Sequence, residues 1–179
     1  MKLVGVSGSL IGMKIVNAVT EILKTAKAID SSIETELIDL KEYELELFHG
    51  PSLAYYNQDT WDLVQKITTA DMLVFGSPIY QASYSGVLKN LLDFMPEHAF
   101  KNKVTGIVTV AGSEKHFLVS EYQLKPVLTY LKGIVPSEHV FITNESFDEE
   151  GYLIDDSISY RVEKLVKEMI RLQHNLDNE

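Results

Sequence analysis

Cysteine is absent from this 179-residue chain. That single absence excludes disulfides, thiolate nucleophiles, iron–sulfur clusters and thiolate zinc sites together. A redox function would therefore need a bound organic cofactor. Basic residues are also scarce: 16 Lys and Arg stand against 26 Asp and Glu, a formal net charge of −10. A surface of that sign repels a polyanionic backbone, which argues against nucleic acid as a partner. It also withholds long-range attraction from a phosphorylated ligand, so a phosphate site must be built locally, from backbone amides or one well-placed cation. No apolar run approaches the ~18 residues needed to span a bilayer, so no membrane partner is expected. The stretch Met1 to Ser7 lacks the long apolar core and cleavage site of a signal peptide, and the expected location is the cytoplasm. His49, His98, His139 and His174 are scattered without metal-ligand spacing and read as surface residues, so no metal site is expected.

What is present is an alternation of strands and helices. Lys2–Ser7 is a short apolar, β-branched run and reads as a buried strand. A small-residue loop, Ser7 to Met13, leads into Lys14–Ile29, where Ile15, Val19, Ile22, Leu23 and Ala26 recur at helical spacing. Residues 32–40 read as a second strand ending near Asp39, and 41–58 as a long surface loop. A short helix follows over 59–67, with Asp59 as its expected cap. Met72–Phe75 reads as the third strand, with Pro78 just beyond its last paired residue because proline has no N–H to donate. Val104–Ala111 is the fourth strand, apolar enough to be central. The helix after it should face Phe117, Leu118, Tyr122, Leu124, Val127, Leu128 and Leu131 inward, with a kink or a local loosening at Pro126. The fifth strand is expected over 137–143 and a last amphipathic helix over 155–176, before a tail expected to fray.

Neither a repeat nor a linker interrupts this pattern, so residues 1–179 are expected to form one domain. Five strands alternating with helices predict an α/β protein, a parallel sheet covered on both faces and joined by right-handed crossovers. The expected class is the three-layer, flavodoxin-like sandwich with strand order 2-1-3-4-5. Ligands in such sheets sit beyond the carboxyl ends of the strands, beside the switch point at strand 1. The loops after strands 1, 3 and 4 should therefore converge, and all three are rich in small or hydroxyl residues. The first presents free amides and the positive end of a helix dipole to an anion. It is not a Walker A loop, which needs a Gly-Lys-Ser/Thr ending. Nor does the spacing of Gly5, Gly8 and Gly12 match Gly-x-Gly-x-x-Gly.

The loop after strand 3 is the most distinctive. It reads Gly76-Ser-Pro-Ile-Tyr80, then Ser83, Ser85-Gly86 and Leu88-Lys-Asn-Leu-Leu-Asp93. With Ser7-Gly-Ser9 and Ala111-Gly-Ser113, it resembles the NADPH-dependent FMN reductase family across nearly the whole chain. The resemblance implies FMN as cofactor and NADPH or NADH as co-substrate. It implies a ring wall of Pro78, Ile79 and Tyr80 with Ser83 nearby, and a phosphate loop around Ser7 and Ser9. Ala111, Gly112, Ser113 and His116 would approach the ring's polar edge. Gln123-Leu-Lys-Pro-Val-Leu128 also fits a family pattern, in a helix that packs between subunits, so a homodimer or homotetramer is implied. The family commonly carries an arginine two residues after the second loop serine, and a serine or threonine soon after. Those places hold Ile11 and then Met13, Lys14 and Ile15. Lys14, helped by the amides of Ser9 to Ile15, is the predicted phosphate partner.

On this reading the ring carries the chemistry and no catalytic acid or base is nominated. The implied activity is an FMN-dependent NAD(P)H oxidoreductase that reduces free flavin, a quinone, an azo compound or a similar small acceptor by a ping-pong cycle. A flavodoxin-type electron carrier and a flavin-less interaction module on the same fold remain as alternatives. Trp61 and the Tyr55-Tyr56 pair read as core or loop packing, and Tyr122 fits either a subunit interface or the core.

Overall fold

In the computed structural model, which describes residues 1–178, β1 (Lys2–Ser7) and β3 (Met72–Tyr80) lie side by side at the centre. Around them the parallel strands run β2-β1-β3-β5-β6, with β2 at Glu34–Asp39, β5 at Val104–Ala111 and β6 at Val140–Thr143. Their order is the expected 2-1-3-4-5 once the two-residue strand β4 (Ser83–Tyr84), a hairpin partner of β3, is set aside. Each strand sends alternate side chains to opposite faces. Leu3, Met72, Val74, Val104 and Val108 meet α1 (Lys14–Ile29) and α5 (Asp156–Asp177). Val4, Val6, Leu73, Phe75 and Ile107 face α2 (Gln58–Thr68), α3 (Gly86–Asp93) and α4 (Lys125–Tyr130). Both faces are covered over the central strands β1, β3 and β5, which read as apolar runs, while Glu34 and Leu37 of the edge strand β2 are exposed.

The layer containing α1 is held close by missing side chains. A Cβ on Gly76 would come within 2.5 Å of Val19 Cγ2, so the helix can approach β3 only because that residue is glycine. This contact fixes where the first turn of α1 stands relative to the strand ends. Among the described residues, no helix is long and apolar enough to cross a membrane.

Several expectations need correction. Pro78 lies within β3, opposite Val110 of β5, and is not beyond the strand. Pairing with β1 stops at Ser7 and Gly76, so on that side β3 has no partner for an N–H that Pro78 lacks. Helix α2 is capped by Asn57, whose side chain accepts from the Thr60 N–H at 2.9 Å. Asp59 instead accepts from the Glu44 N–H at 2.8 Å. Strand β6 begins at Val140, not 137.

The segment after β5 departs furthest. Residues Ser120–Leu124 form one turn of π-helix that runs without a break into α4, and Pro126 is the second residue of α4. That wider turn is the local loosening expected beside the proline. Phe117 and Leu118 fall in the turn before the helix and are exposed, as is Tyr122 within the π turn, while Leu124, Leu128 and Leu131 stay buried. His139 is half-buried, not a free surface residue. The 41–58 loop is ordered by contacts with α3: Asn90 accepts from the Phe48 N–H at 2.8 Å and donates to the Glu46 carbonyl at 2.8 Å. Phe48 and Tyr56 stack edge-on against Phe94, while Tyr55 and Trp61 remain exposed. At the carboxyl end, α5 runs through Asp177; of the tail expected to fray, Glu179 lies outside the described residues.

Candidate functional site

The loops after β1, β3 and β5 meet at the carboxyl edge of the sheet around an open cleft of about 450 Å³. That is within the usual range for small-molecule sites, roughly 300–1,000 Å³. Hydrogen bonds among buried serines lock the first two loops together. The Gly8 N–H donates to the Gly76 carbonyl at 2.8 Å, and the Ser85 hydroxyl donates to the Gly8 carbonyl at 2.6 Å. In turn, the Ser77 hydroxyl accepts from the Ser85 N–H at 2.9 Å. A Cβ on Gly8 would stand 2.8 Å from the Gly76 carbonyl oxygen, so only glycine permits this approach.

One end of the cleft is formed by Ser9, Ile11, Gly12, Met13, Lys14 and Ile15. Gly12 takes a positive φ of 71°, turning the chain into α1. Met13 caps α1 without a side-chain hydrogen bond, and no acidic residue occupies the first turn. The first-turn amides therefore have no side-chain acceptor of their own, the arrangement that suits an anion. The Ser9 hydroxyl turns inward to the Ile11 carbonyl at 2.7 Å. Lys14 points across the cleft, donating to the Asn144 side-chain oxygen at 3.1 Å, with its ammonium 5.6 Å from the Phe147 ring centroid. A second cation stands close by. Lys41 Nζ is 3.5 Å from Met13 Sδ and 2.9 Å from the Asp39 carboxylate, whose hydrogen bond holds the ammonium above its ordinary pKa.

The other end is a ledge of Pro78, Ile79 and Tyr80, with Val110, Ala111 and Gly112 beneath. Tyr80 is 48% exposed, an aromatic surface available to a flat ligand. The ledge belongs to the β3–β4 hairpin, whose tip, Gln81-Ala82, has positive φ at both residues (48° and 61°). Neither is glycine, so this conformation persists only where its surroundings impose it.

Of the predicted site residues, Ser9, Met13, Lys14, Ile15, Pro78, Ile79, Tyr80, Ala111 and Gly112 line one cleft. Ser7, Ser83, Ser113 and His116 do not. Ser7 is buried beneath the loop, and its hydroxyl lacks a protein partner. Ser83 pairs with Tyr80 in the hairpin. Ser113 accepts from the Lys115 N–H at 3.3 Å, capping a short turn that holds His116. A fourth wall carries no local sequence signal. Asn144, Glu149, Glu150 and Gly151 border the phosphate-loop end, fastened there by the Asn17 side chain donating to the Gly151 carbonyl at 2.7 Å. Those partners lie 134 positions apart, beyond any local pattern.

A family model described as NADPH-dependent FMN reductase matches residues 1–148. A curated NAD(P)H-dependent FAD/FMN reductase from Geobacillus thermodenitrificans is 36% identical over 176 residues, spanning 98% of this chain and 95% of that protein. An FMN-dependent NADPH-azoreductase from Staphylococcus aureus is 33% identical over 153 residues, 80% of each chain. Among solved structures, an oxidoreductase from Corynebacterium diphtheriae superposes with a TM-score of 0.80 over 97% of both chains, at 24% identity. The apo form of an NADH:FMN oxidoreductase does so at 0.79, with 23% identity, over 99% of this chain and 91% of that one. These two likenesses bear on the fold.

Proposed function

Since the chain belongs to the NADPH-dependent FMN reductase family, we propose that it binds FMN in the cleft between α1 and the Pro78–Tyr80 ledge and passes reducing equivalents from NAD(P)H to a small acceptor. The observation that carries this reading is the pairing of opposite chemistries in one cleft. Uncapped first-turn amides with Lys14 stand at one end, and an apolar, partly aromatic ledge stands at the other. A flavin phosphate suits the first and a flat ring the second. When bound, the flavin supplies the hydride-accepting and electron-donating chemistry.

The chain's own residues bind and orient. Lys14 and the amides of Ser9 to Ile15 hold the phosphate; Pro78, Ile79 and Tyr80 support one face of the ring. The Ala111–Gly112 backbone borders the ring's polar edge, with Ser113 and His116 in the turn behind it. No side chain is assigned a proton-transfer role. The cleft is open on one side, so NAD(P)H and the acceptor can use the same face in turn, a ping-pong cycle. The acceptor is a free flavin, a quinone or an azo compound. We further propose that residues 1–179 act as one domain in a cytoplasmic homodimer or homotetramer, with exposed Phe117, Leu118, Tyr122 and Tyr130 offering apolar surface for a second copy.

Reconstitution with FMN followed by anaerobic addition of NADPH tests the function. Bound flavin should show its visible band, and NADPH should bleach it. Initial rates with varied NADPH at several acceptor concentrations should give parallel double-reciprocal lines. A protein that retains no FMN overturns the proposal. Bound flavin that neither NADPH nor NADH bleaches would leave an electron carrier.

A further inference from the structure

We propose that Gln123, which lies outside the cleft, is a positioning residue that holds the Pro78–Tyr80 ledge in its ligand-facing shape. The inference rests on the flavin reading above for its consequence, but not for its geometry.

The ledge ends in a two-residue hairpin loop, Gln81-Ala82, between the paired residues Tyr80 and Ser83. Both loop residues have positive φ. That is the type I′ pattern, for which Asn-Gly is the favoured pair because a Cβ is crowded there. Gln-Ala carries two Cβ atoms, so this tip is not self-sustaining. The hairpin ladder has only the pairs Ile79–Tyr84 and Tyr80–Ser83, with the Ser77–Ser85 hydrogen bond closing its base, so its support stops short of the two tip residues. A hydrogen bond from outside completes it: Gln123 Nε2 donates to the Ala82 carbonyl at 2.8 Å.

Gln123 is aimed there by the π turn Ser120–Leu124. Such turns add a residue to a helix and re-aim its side chains, often next to functional sites. This turn is fixed to the floor of the site. The Ser120 and Thr109 hydroxyls, both fully buried, are 2.9 Å apart, and Thr109 lies on β5 beside the cleft-lining Val110. Leu124 anchors the same turn in the core. A rigid path therefore runs from β5 through Ser120 to Gln123 and ends at the hairpin tip.

Three variants separate this role from a general structural one. Gln123→Ala removes the donor, and Gln123→Glu keeps the shape but cannot donate. Gln81→Asn/Ala82→Gly added to Gln123→Ala supplies a tip that holds the turn unaided. Apo-protein titrated with FMN should bind about tenfold more weakly in both single variants, the scale of one lost hydrogen bond and the order that goes with it. Thermal midpoints should remain at the wild-type value, and the Asn-Gly tip should restore affinity. Hydrogen exchange of the Ser83 amide, which faces Tyr80 across the tip, read without flavin, should quicken in the single variants and slow again in the rescued one. Wild-type affinity and exchange in Gln123→Glu would overturn the proposal. So would a loss that follows the melting temperature and is not restored by the Asn-Gly tip. If the wild type binds no FMN, the flavin reading fails, and the exchange measurement still decides whether Gln123 holds the tip.

Discussion

Lys14 donates to Asn144 across the cleft at 3.1 Å, so the cation nearest the uncapped turn of α1 already has a neutral partner before any ligand arrives. A neutral amide leaves the ammonium's charge unspent, and an incoming phosphate can compete for it. Lys14→Ala should weaken FMN binding about tenfold, the scale of one charge-assisted hydrogen bond. Riboflavin, which has no phosphate, should bind both proteins alike. Fluorescence titrations with the two flavins check this, and an equal loss for both would remove Lys14 from the phosphate.

The same end of the cleft is bordered by Glu149 and Glu150. Both are exposed, so solvent screens them and each should act weakly. Replacing both by glutamine should tighten FMN about two- to fourfold at low ionic strength, with the difference shrinking toward zero near ~1 M salt. Riboflavin should again be the insensitive control. Tighter FMN binding that salt does not abolish would mean that the glutamines act by contact, not by charge.

The fold was legible in the sequence wherever a local pattern sets an element's place. Apolar or alternating runs located five parallel strands, and small-residue loops after three of them meet at one edge of the sheet. Legibility failed where a distant partner decides. Pro78 suggested a strand end, yet β3 continues because β1 stops beside it. Leu118 and Tyr122 have helical spacing, but Leu118 falls in the turn before the helix and Tyr122 in a π turn, both on the surface, and no residue pattern announces one extra residue per turn. Asn144 reaches the site at the end of β6, whose Thr143 pairs with Ala111, and the turn holding Glu149 and Glu150 is tied to α1 by the long-range bond from Asn17 to Gly151.

Helix α2 offers a direct test of one such misreading. Both Asn57 and Asp59 are plausible caps by residue type. Asn57 accepts from the Thr60 N–H and also donates to the Glu44 carbonyl at 2.6 Å, so it closes the helix and the preceding loop together. Asn57→Ala should destabilise by about 1–2 kcal/mol. Asp59→Ala, which removes an acceptor for the Glu44 amide on an exposed loop, should cost about half as much or less. Denaturant midpoints for the two variants decide the order, and the reverse order would return the cap to Asp59.

Gly8 tests the join between the first two loops. An added Cβ meets the Gly76 carbonyl at 2.8 Å and Leu88 Cβ at 2.9 Å, neither of them the free end of a flexible side chain. Gly8→Ala should therefore destabilise by about 1–3 kcal/mol. It should also disturb the Ser85 hydrogen bond to the Gly8 carbonyl, so FMN affinity should fall with stability. A variant as stable as the wild type would mean that the loop relaxes without strain.

His139 gives the chain a pH dependence of predictable sign. Burial opposes the imidazolium and lowers its pKa below the ordinary 6.5. Glu121 and a backbone hydrogen bond at Phe117 favour the charged form, while Arg161 and Lys125 oppose it, and the net direction is down. In the window between the folded pKa and 6.5, the unfolded chain holds a proton that the folded chain does not. Stability therefore rises with pH through that window, is fully present above 6.5, and is lost as the pH falls through the folded pKa. His139→Gln removes this titration but leaves the carboxylates, whose contributions both proteins share. Melting temperatures compared from about pH 8 down to about pH 5 should show the wild type falling more steeply below 6.5. Curves that stay parallel throughout would show that His139 titrates in the folded protein as it does in the unfolded chain.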